Sequence, residues 1–406
     1  GWLSACLFGS LPYVFSSDFS RITDCLFESF SGFTTTGASV INNIETLPPS
    51  LLFWRSLTQW LGGMGVIWFS LAVLPFLNLG GMQLYKNAVP GHTSDKLRPR
   101  IRDTAKFLWI TYLSLTIAQI VLLLLGDIEF FNAVCHTFGT VSTGGFKTHE
   151  KSIRAFSSVY LEVVTIVFMY LSAINFVLHF RLLKTGIKGY LTSLEFRFFT
   201  FALLISTLVI SLYIWGDIYP SYLQALRQAT FQTVSVLSTT GYVGSNYQLW
   251  GALPLFILLL CVVSGGMAGS SSGGLKAMRI VLLAKMAIRE LKKLVHPKAV
   301  FLIKIEEKVI SEEVLRGVYS FVLLYCGLIF CMTLVLSSID MELLTSLGSV
   351  VACTSNLGPG LGETAAWDNY AHLPVLGKWI LALCMFLGRL EIYTVLIFLF
   401  PAFWKQ

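Results

Sequence analysis

The sequence predicts an all-α membrane protein of four tandem helix–pore-loop–helix repeats arranged around one pseudo-fourfold central pore. Three observations carry that prediction: little charge with long apolar runs, a polar turn that recurs four times, and basic residues gathered in particular connections. Of the 406 residues, 55% are hydrophobic and only 13% charged, against about a quarter charged in a soluble domain. Apolar runs at 107–125, 159–178, 198–214, 253–263, 318–336 and 381–400 stand out. Several reach the roughly 20 residues that cross a bilayer.

The recurring design is an apolar stretch, a short amphipathic run, and a polar turn closing on glycine. The turns read FTTTGA (33–38), VSTGGF (141–146), STTGYV (238–243) and SNLGPG (355–360). Their glycines are taken as Gly37, Gly144, Gly241 and Gly358, at a spacing that marks a repeated structural unit. In the first repeat (1–85), 2–15 ends a spanning helix, 23–33 is a short helix and 53–74 returns across the membrane. The second repeat (86–190) uses 106–125, 130–140 and 153–180. The third (191–295) uses 191–215, 223–237 and an interrupted helix from 250 onward. The fourth (296–406) uses 313–337, 342–353 and 376–400.

The short helices cannot span, because about 12 residues at about 1.5 Å each cover only about 18 Å. Each is expected to re-enter the membrane with its C-terminal end, the negative end of its dipole, facing the pore centre, where it favours a cation. Non-helical backbone at that depth is tolerated where it is buried in protein or lines a wet cavity. A dehydrated cation needs a cage of oxygens, and backbone carbonyls in an extended turn supply one where glycine permits positive φ. The expected ion-binding residues are therefore Thr35, Thr36 and Gly37; Ser142, Thr143 and Gly144; Thr239, Thr240 and Gly241; and Asn356, Leu357 and Gly358. In the fourth turn Asn-Leu replaces the hydroxyl pair, so its coordination rests on carbonyls. Small-residue turns can also simply cap short helices; four in matching positions argue against capping alone.

The net charge of +7 is unevenly distributed. One connection carries Lys86, Lys96, Arg98, Arg100, Arg102 and Lys106, and a second Arg181, Lys184, Lys188 and Arg197. A third carries Lys276, Arg279, Lys285, Arg289, Lys292, Lys293, Lys298, Lys304 and Lys308, whereas 340–372 has no Lys or Arg. By the positive-inside rule the basic connections are cytoplasmic and the four turns face outside. That explains the charge without a nucleic-acid partner. The eight cysteines sit in apolar runs or short helices without a C-x-x-C pair and read as small buried residues, not as disulfides or metal ligands. The chain opens at Gly1 inside an apolar stretch, shows no signal peptide there, and is expected to be part of a longer protein.

Seven segments together resemble one family: FESFSGFTTTGAS (27–39), SLTQWLGGMGV (56–66), TFGTVSTGGF (137–146), VLSTTGY (236–242), SGGMAGSSSGGLKAMR (264–279), NLGPGLG (356–362) and LGRLEIYTVLIFLFPAFWK (387–405). They cover essentially the whole chain. The chain resembles the potassium-translocating subunits of the bacterial Trk/Ktr superfamily (TrkH, TrkG, KtrB and HKT proteins), and its Gly-Arg-Leu-Glu ending favours the TrkH branch. That branch has an extra N-terminal helix pair, absent here and expected to be missing by truncation.

The resemblance implies K+ uptake, with Rb+ as a substitute ion, through a multi-pass protein of the bacterial plasma (inner) membrane. In the family, glycine in all four turns goes with potassium selectivity, and serine in the first goes with sodium permeation. The resemblance also implies a homodimer with one pore per subunit and a cytosolic, TrkA-type regulatory subunit that binds nucleotides. No cofactor is expected in this chain.

The segment 264–274 breaks the third repeat's second helix with glycines and serines. It is not a phosphate loop, since it lacks the Gly-Lys-Ser/Thr ending and a preceding strand. A flexible kink remains an alternative. The resemblance implies an intramembrane gate loop beneath the turns, with Gly265, Gly266, Gly269, Gly273 and Gly274 as its pliable positions. Arg389 lies near the middle of the last apolar run, where a cation is expensive and should face the interior or water. It could form an ion pair with Glu391 or another helix's carboxylate. In the family the matching arginine points into the conduit, where a fixed positive charge raises a barrier to cations.

His136, His149 and His179 have no metal-ligand spacing and read as packing or surface residues, and Glu162 and Asn175 as packing between helices. Two competing functions would need signals of their own. Proton- or sodium-coupled symport needs a titratable carboxylate at mid-membrane, and none stands out. A membrane enzyme needs clustered Asp, Glu, His or Ser at one face, which the sequence lacks.

Overall fold

The computed structural model describes residues 1–16, 18–72, 97–150, 156, 158–306, 308–397 and 401. The chain is mostly helical. Among the described residues the exceptions to the all-α expectation are one antiparallel hairpin, in which Lys304 faces Val309, and an isolated bridge between Trp215 and Tyr219. The boundary at 85/86, Lys86, Lys96, the helix start at 153 and the last helix's end at 400 lie outside the described residues.

The short helices fall where expected, at Ile22–Phe33, Phe130–Val141, Tyr222–Leu237 and Leu343–Thr354. Each precedes a turn, and each is followed by a further helix: Pro49–Ala72, Val159–Ala173, Ala252–Ser264 and Val375–Arg389. Among the described residues three helices are long and apolar enough to cross a membrane: Ala105–Leu124, Leu194–Ile214 and Glu312–Ser337. Only 28%, 28% and 22% of their apolar windows are buried, so their outer faces suit lipid better than water. This is a multi-pass membrane protein.

Three expected spans are broken. The run 159–178 divides at Ile174 into helices Val159–Ala173 and Phe176–Thr185, bent by 102°. Asn175 drives the restart: its side chain accepts from Val177 N and caps the second helix. The third repeat's second helix stops at Ser264 and resumes at Ala277. The last run breaks after Arg389, where Glu391 takes φ 56°, before a short helix at Ile392–Leu396. The break after Ser264 falls at the small-residue segment 264–274, as the sequence predicts; the apolar runs did not reveal the other two, because an inward-facing break is held by other parts of the protein.

Six cysteines are buried as expected, but Cys326 and Cys331 are exposed on the outer face of Glu312–Ser337. Glu162 meets Arg227 at 3.2 Å, joining Val159–Ala173 to the third short helix. His136 is buried beside Phe156 and Tyr242, and His179 lies against Phe176 and Tyr190.

Candidate functional site: four turns and the segment beneath them

The four turns leave their short helices along one path. Two residues beyond each helix end, Thr35, Thr143, Thr239 and Asn356 take φ of 51°, 54°, 57° and 54°. The next amide reaches back five residues: Thr36 N to Ser31 O (2.9 Å), Gly144 N to Gly139 O (2.8 Å), Thr240 N to Ser235 O (2.9 Å) and Leu357 N to Ala352 O (2.8 Å). Positive φ on a β-branched residue is an outlier, costing on the order of 1–3 kcal/mol, and such strain gathers at functional positions. The same left-handed position four times, three times on threonine and once on the more tolerant asparagine, is the clearest sign that the turns are equivalent.

That register corrects the alignment of the second turn. Gly37, Gly241 and Gly358 correspond to Gly145, and Gly144 takes the place of Thr36, Thr240 and Leu357. The adjacent glycines of STGG made the sequence ambiguous by one residue. Gly144 lacks a side chain for a different reason: a Cβ there would strike the Gln59 amide.

The turns contact one another in a closed order. The backbone at Gly37 lies against Gly144, Gly145 against Thr240, Gly241 against Gly358, and Gly358 back against Gly37, each too close for a side chain. Asn356 Nδ2 donates to Thr36 Oγ1 at 3.1 Å, tying the fourth turn to the first. All of the expected ion-binding residues except Gly37 are buried, and Gly37, Gly241 and Gly358 border a bowl above the turns. Among the described residues the carbonyl oxygens of Thr35, Thr36, Thr239 and Thr240 accept no protein hydrogen bond, although buried carbonyls ordinarily find a donor. Above the turns is a bowl of about 260 Å³ bordered by Gly37, Gly145, Gly241 and Gly358, with Lys147 on its wall.

Helix Pro49–Ala72 holds the first two turns from behind. Arg55 and Gln59, four apart on one face, both reach the second turn. Gln59 donates to Gly144 O (2.7 Å) and accepts from Phe146 N (2.9 Å). Arg55 pairs with Glu28 of the first short helix at 2.7 Å. Sequence reasoning missed Glu28, Arg55 and Gln59; charged residues inside apolar helices were the available signal.

The small-residue segment is a closed loop seated against the turns. Leu275 N donates to Val263 O (3.0 Å) and Ala277 N to Gly266 O (2.9 Å), drawing its ends together. Gly273 N donates to Thr239 Oγ1 at 2.7 Å, and Gly273 packs on Ser355 O. Ser271 Oγ donates to Val141 O at 2.9 Å. The loop also fills the break at Ile174: Met267 N donates to Ala173 O (3.0 Å) and Phe176 N to Gly269 O (3.1 Å). Gly265, Gly269 and Gly274 take positive φ, whereas Gly266 and Gly273 are required by closeness to neighbours. Glu195, also missed, accepts from Ala268 N (2.7 Å) and Met278 N (3.2 Å), gripping the loop on both sides.

Arg389 is buried and donates from Nη1 to Ser271 O at 2.7 Å. It does not pair with Glu391, whose carboxylate meets Arg279 at 2.8 Å.

Residues 2–405 match the model of the TrkH family, described as a cation transport protein. The chain belongs to the TrkH family. Among its relatives, the "Trk system potassium uptake protein TrkH" of Salmonella typhimurium is 42% identical over 98% of this chain and 83% of its own length. The "Trk system potassium uptake protein TrkG" of Escherichia coli is 37% identical over 100% of this chain and 84% of its own. The structure is also similar to the crystal structure of the potassium transporter TrkH from Vibrio parahaemolyticus, with a TM-score of 0.90, 39% identity, and coverage of 99% of this chain and 84% of that one.

Proposed function

We propose that this protein takes up K+ across a bacterial inner membrane through a gated, potassium-selective pore. The observation that carries the reading is the closed order of four turns on one backbone path, with unpaired carbonyl oxygens at Thr35, Thr36, Thr239 and Thr240. The names of the relatives, potassium uptake proteins of the Trk system, agree with it. In this reading the four repeats, 1–85, 86–190, 191–295 and 296–406, surround one pseudo-fourfold axis. Backbone oxygens at Thr35, Thr36, Gly37, Ser142, Thr143, Thr239, Thr240, Gly241, Asn356, Leu357 and Gly358 replace the ion's water, with Gly145 joining Gly144 in the second turn.

The loop at 265–276 obstructs the path below, and Arg389 holds it there. Opening requires the loop to leave Thr239, Val141 and the Ile174 break. A homodimer and a nucleotide-binding cytosolic partner of TrkA type complete the proposal, the partner acting on this loop through the basic helix Ala277–Val295.

The test is 86Rb+ uptake into proteoliposomes, with Na+ and K+ as competitors and a set membrane potential. Uptake suppressed by K+ and not by Na+, and following voltage, supports the reading. Equal suppression by both ions overturns the selectivity. Uptake driven by a pH or Na+ gradient at zero potential would establish the alternative, ion-coupled symport.

A further inference from the structure

The junction between the first and second turns is held by a buried charge pair whose contacts extend beyond the pair. Glu28 is 0% and Arg55 1% exposed. Arg55 Nε donates to Glu28 Oε1 at 2.7 Å, and Val40 N donates to Glu28 Oε2 at 3.1 Å. Ser39 Oγ donates to the same carboxylate at 3.1 Å, and Arg55 Nη2 donates to Ser39 Oγ at 3.2 Å. On the other side, Arg55 Nη1 donates to Lys147 O at 3.2 Å and the guanidinium lies over the Phe146 ring at 4.2 Å. One pair thus holds Ser39 and Val40, where the chain leaves the first turn, and Phe146 and Lys147, where it leaves the second.

Three other contacts around the turns come from neutral hydroxyls. Tyr242 OH donates to His136 O (3.0 Å), Tyr247 OH to Gly360 O (3.0 Å), and Tyr370 OH to Gly358 O (2.8 Å). Burying two charges is expensive, and well-packed apolar residues often serve stability as well or better. What a planar guanidinium adds is direction: several donors in a fixed fork, each committed to a different acceptor. Discrimination between cations of different radius requires that the oxygens lining the path not shift freely.

We propose that the Glu28–Arg55 pair is a selectivity-setting positioning element, fixing the exits of the first and second turns relative to each other so that their oxygens hold one spacing. The proposal rests on the filter reading above and adds residues that never touch the ion. Loss of the pair lets the two exits move apart, and the ring then accommodates a second cation size.

The test compares Glu28→Gln, Arg55→Lys and Ser39→Ala with the unaltered protein in proteoliposomes. 86Rb+ uptake is measured against Na+ competition, per unit of folded protein judged by size-exclusion elution and thermal unfolding. Glu28→Gln and Arg55→Lys are expected to lower the preference for Rb+ over Na+ about tenfold, equivalent to about 1.4 kcal/mol. Ser39→Ala leaves both charges paired, carries the test where loss of a charge prevents folding, and is expected to shift the preference less in the same direction. A purely structural pair would lower the amount of folded protein and leave the ion ranking unmoved. Unmoved ranking in every variant that folds, Ser39→Ala included, overturns the proposal. An unaltered protein that does not discriminate overturns the filter reading and this proposal with it.

Discussion

The Arg389 guanidinium donates to the carbonyl oxygen of Ser271 at 2.7 Å, joining the end of the last long helix to the middle of the loop beneath the turns. The two residues are 118 positions apart. Arg389 is free of Glu391, and Ser271 uses its hydroxyl on Val141 O and Ser172 O. The contact pins the loop at a fully buried point, where Ser271 is 0% exposed.

Arg389→Ala should therefore raise cation flux. A hydrogen bond from a charged donor contributes roughly 1.5–3 kcal/mol, so its loss predicts roughly a tenfold or greater gain in the open population. Arg389→Lys, which keeps charge but loses the planar fork, should fall between the two. Initial rates of 86Rb+ uptake decide it, and rates unchanged in both variants would remove Arg389 from the gate.

Gly37→Ser should weaken potassium preference. Gly37 has φ 83°, and a Cβ would meet Gly144 O. Gly145, at φ 73° with Thr240 O in the same place, is its structural counterpart. Gly145→Ser should match Gly37→Ser in ion ranking, whereas Gly144→Ala should act by displacing Gln59 and be partly relieved by Gln59→Ala. If Gly144→Ser mimicked Gly37→Ser and Gly145→Ser did not, the register would be wrong.

Much of this arrangement was legible in the sequence. The short helices were placed within a residue or two because each joins an apolar run to a polar turn, and such junctions leave a local composition signal. The adjacent glycines at 144 and 145 defeated local reading, since only hydrogen bonds back to Gly139 decide which one fills the common position. The break at Ile174 was hidden because Met267 and Gly269, nearly a hundred residues on, supply the partners that make it tolerable. Glu28 and Arg55 were each visible as charges in apolar company, but their pairing is a tertiary fact. Exposure of Cys326 and Cys331 was missed because an apolar helix facing lipid and one facing a core have the same composition.

Glu195→Ala should also raise flux. Its carboxylate accepts amides from both sides of the loop, Ala268 and Met278, so its removal deprives two half-buried donors of their acceptor in the closed arrangement. Glu195→Gln keeps one oxygen that can still accept and should have a smaller effect. Paired with Arg389→Ala, it should give less than the product of the separate gains if both hold one closed state. Independent, fully multiplying effects would count against a shared latch.

Lys147 predicts a pH dependence on the outer side. Burial lowers its pKa to about 8, Arg55 adds to the lowering, and Glu150 opposes it. A lysine is cationic below its pKa, so at neutral pH Lys147 places a positive charge on the wall of the bowl that a cation enters. Raising the external pH from about 7 to about 9 takes it through that pKa and removes the charge, so cation uptake should rise over this interval, most steeply near pH 8. The effect should weaken as added salt screens the bowl. Lys147→Met should show the high-pH rate throughout and lose the step, while Lys147→Arg should keep the low rate to higher pH. Uptake at fixed internal pH, with external pH varied, measures the profile. An identical step in Lys147→Met would assign it to another group.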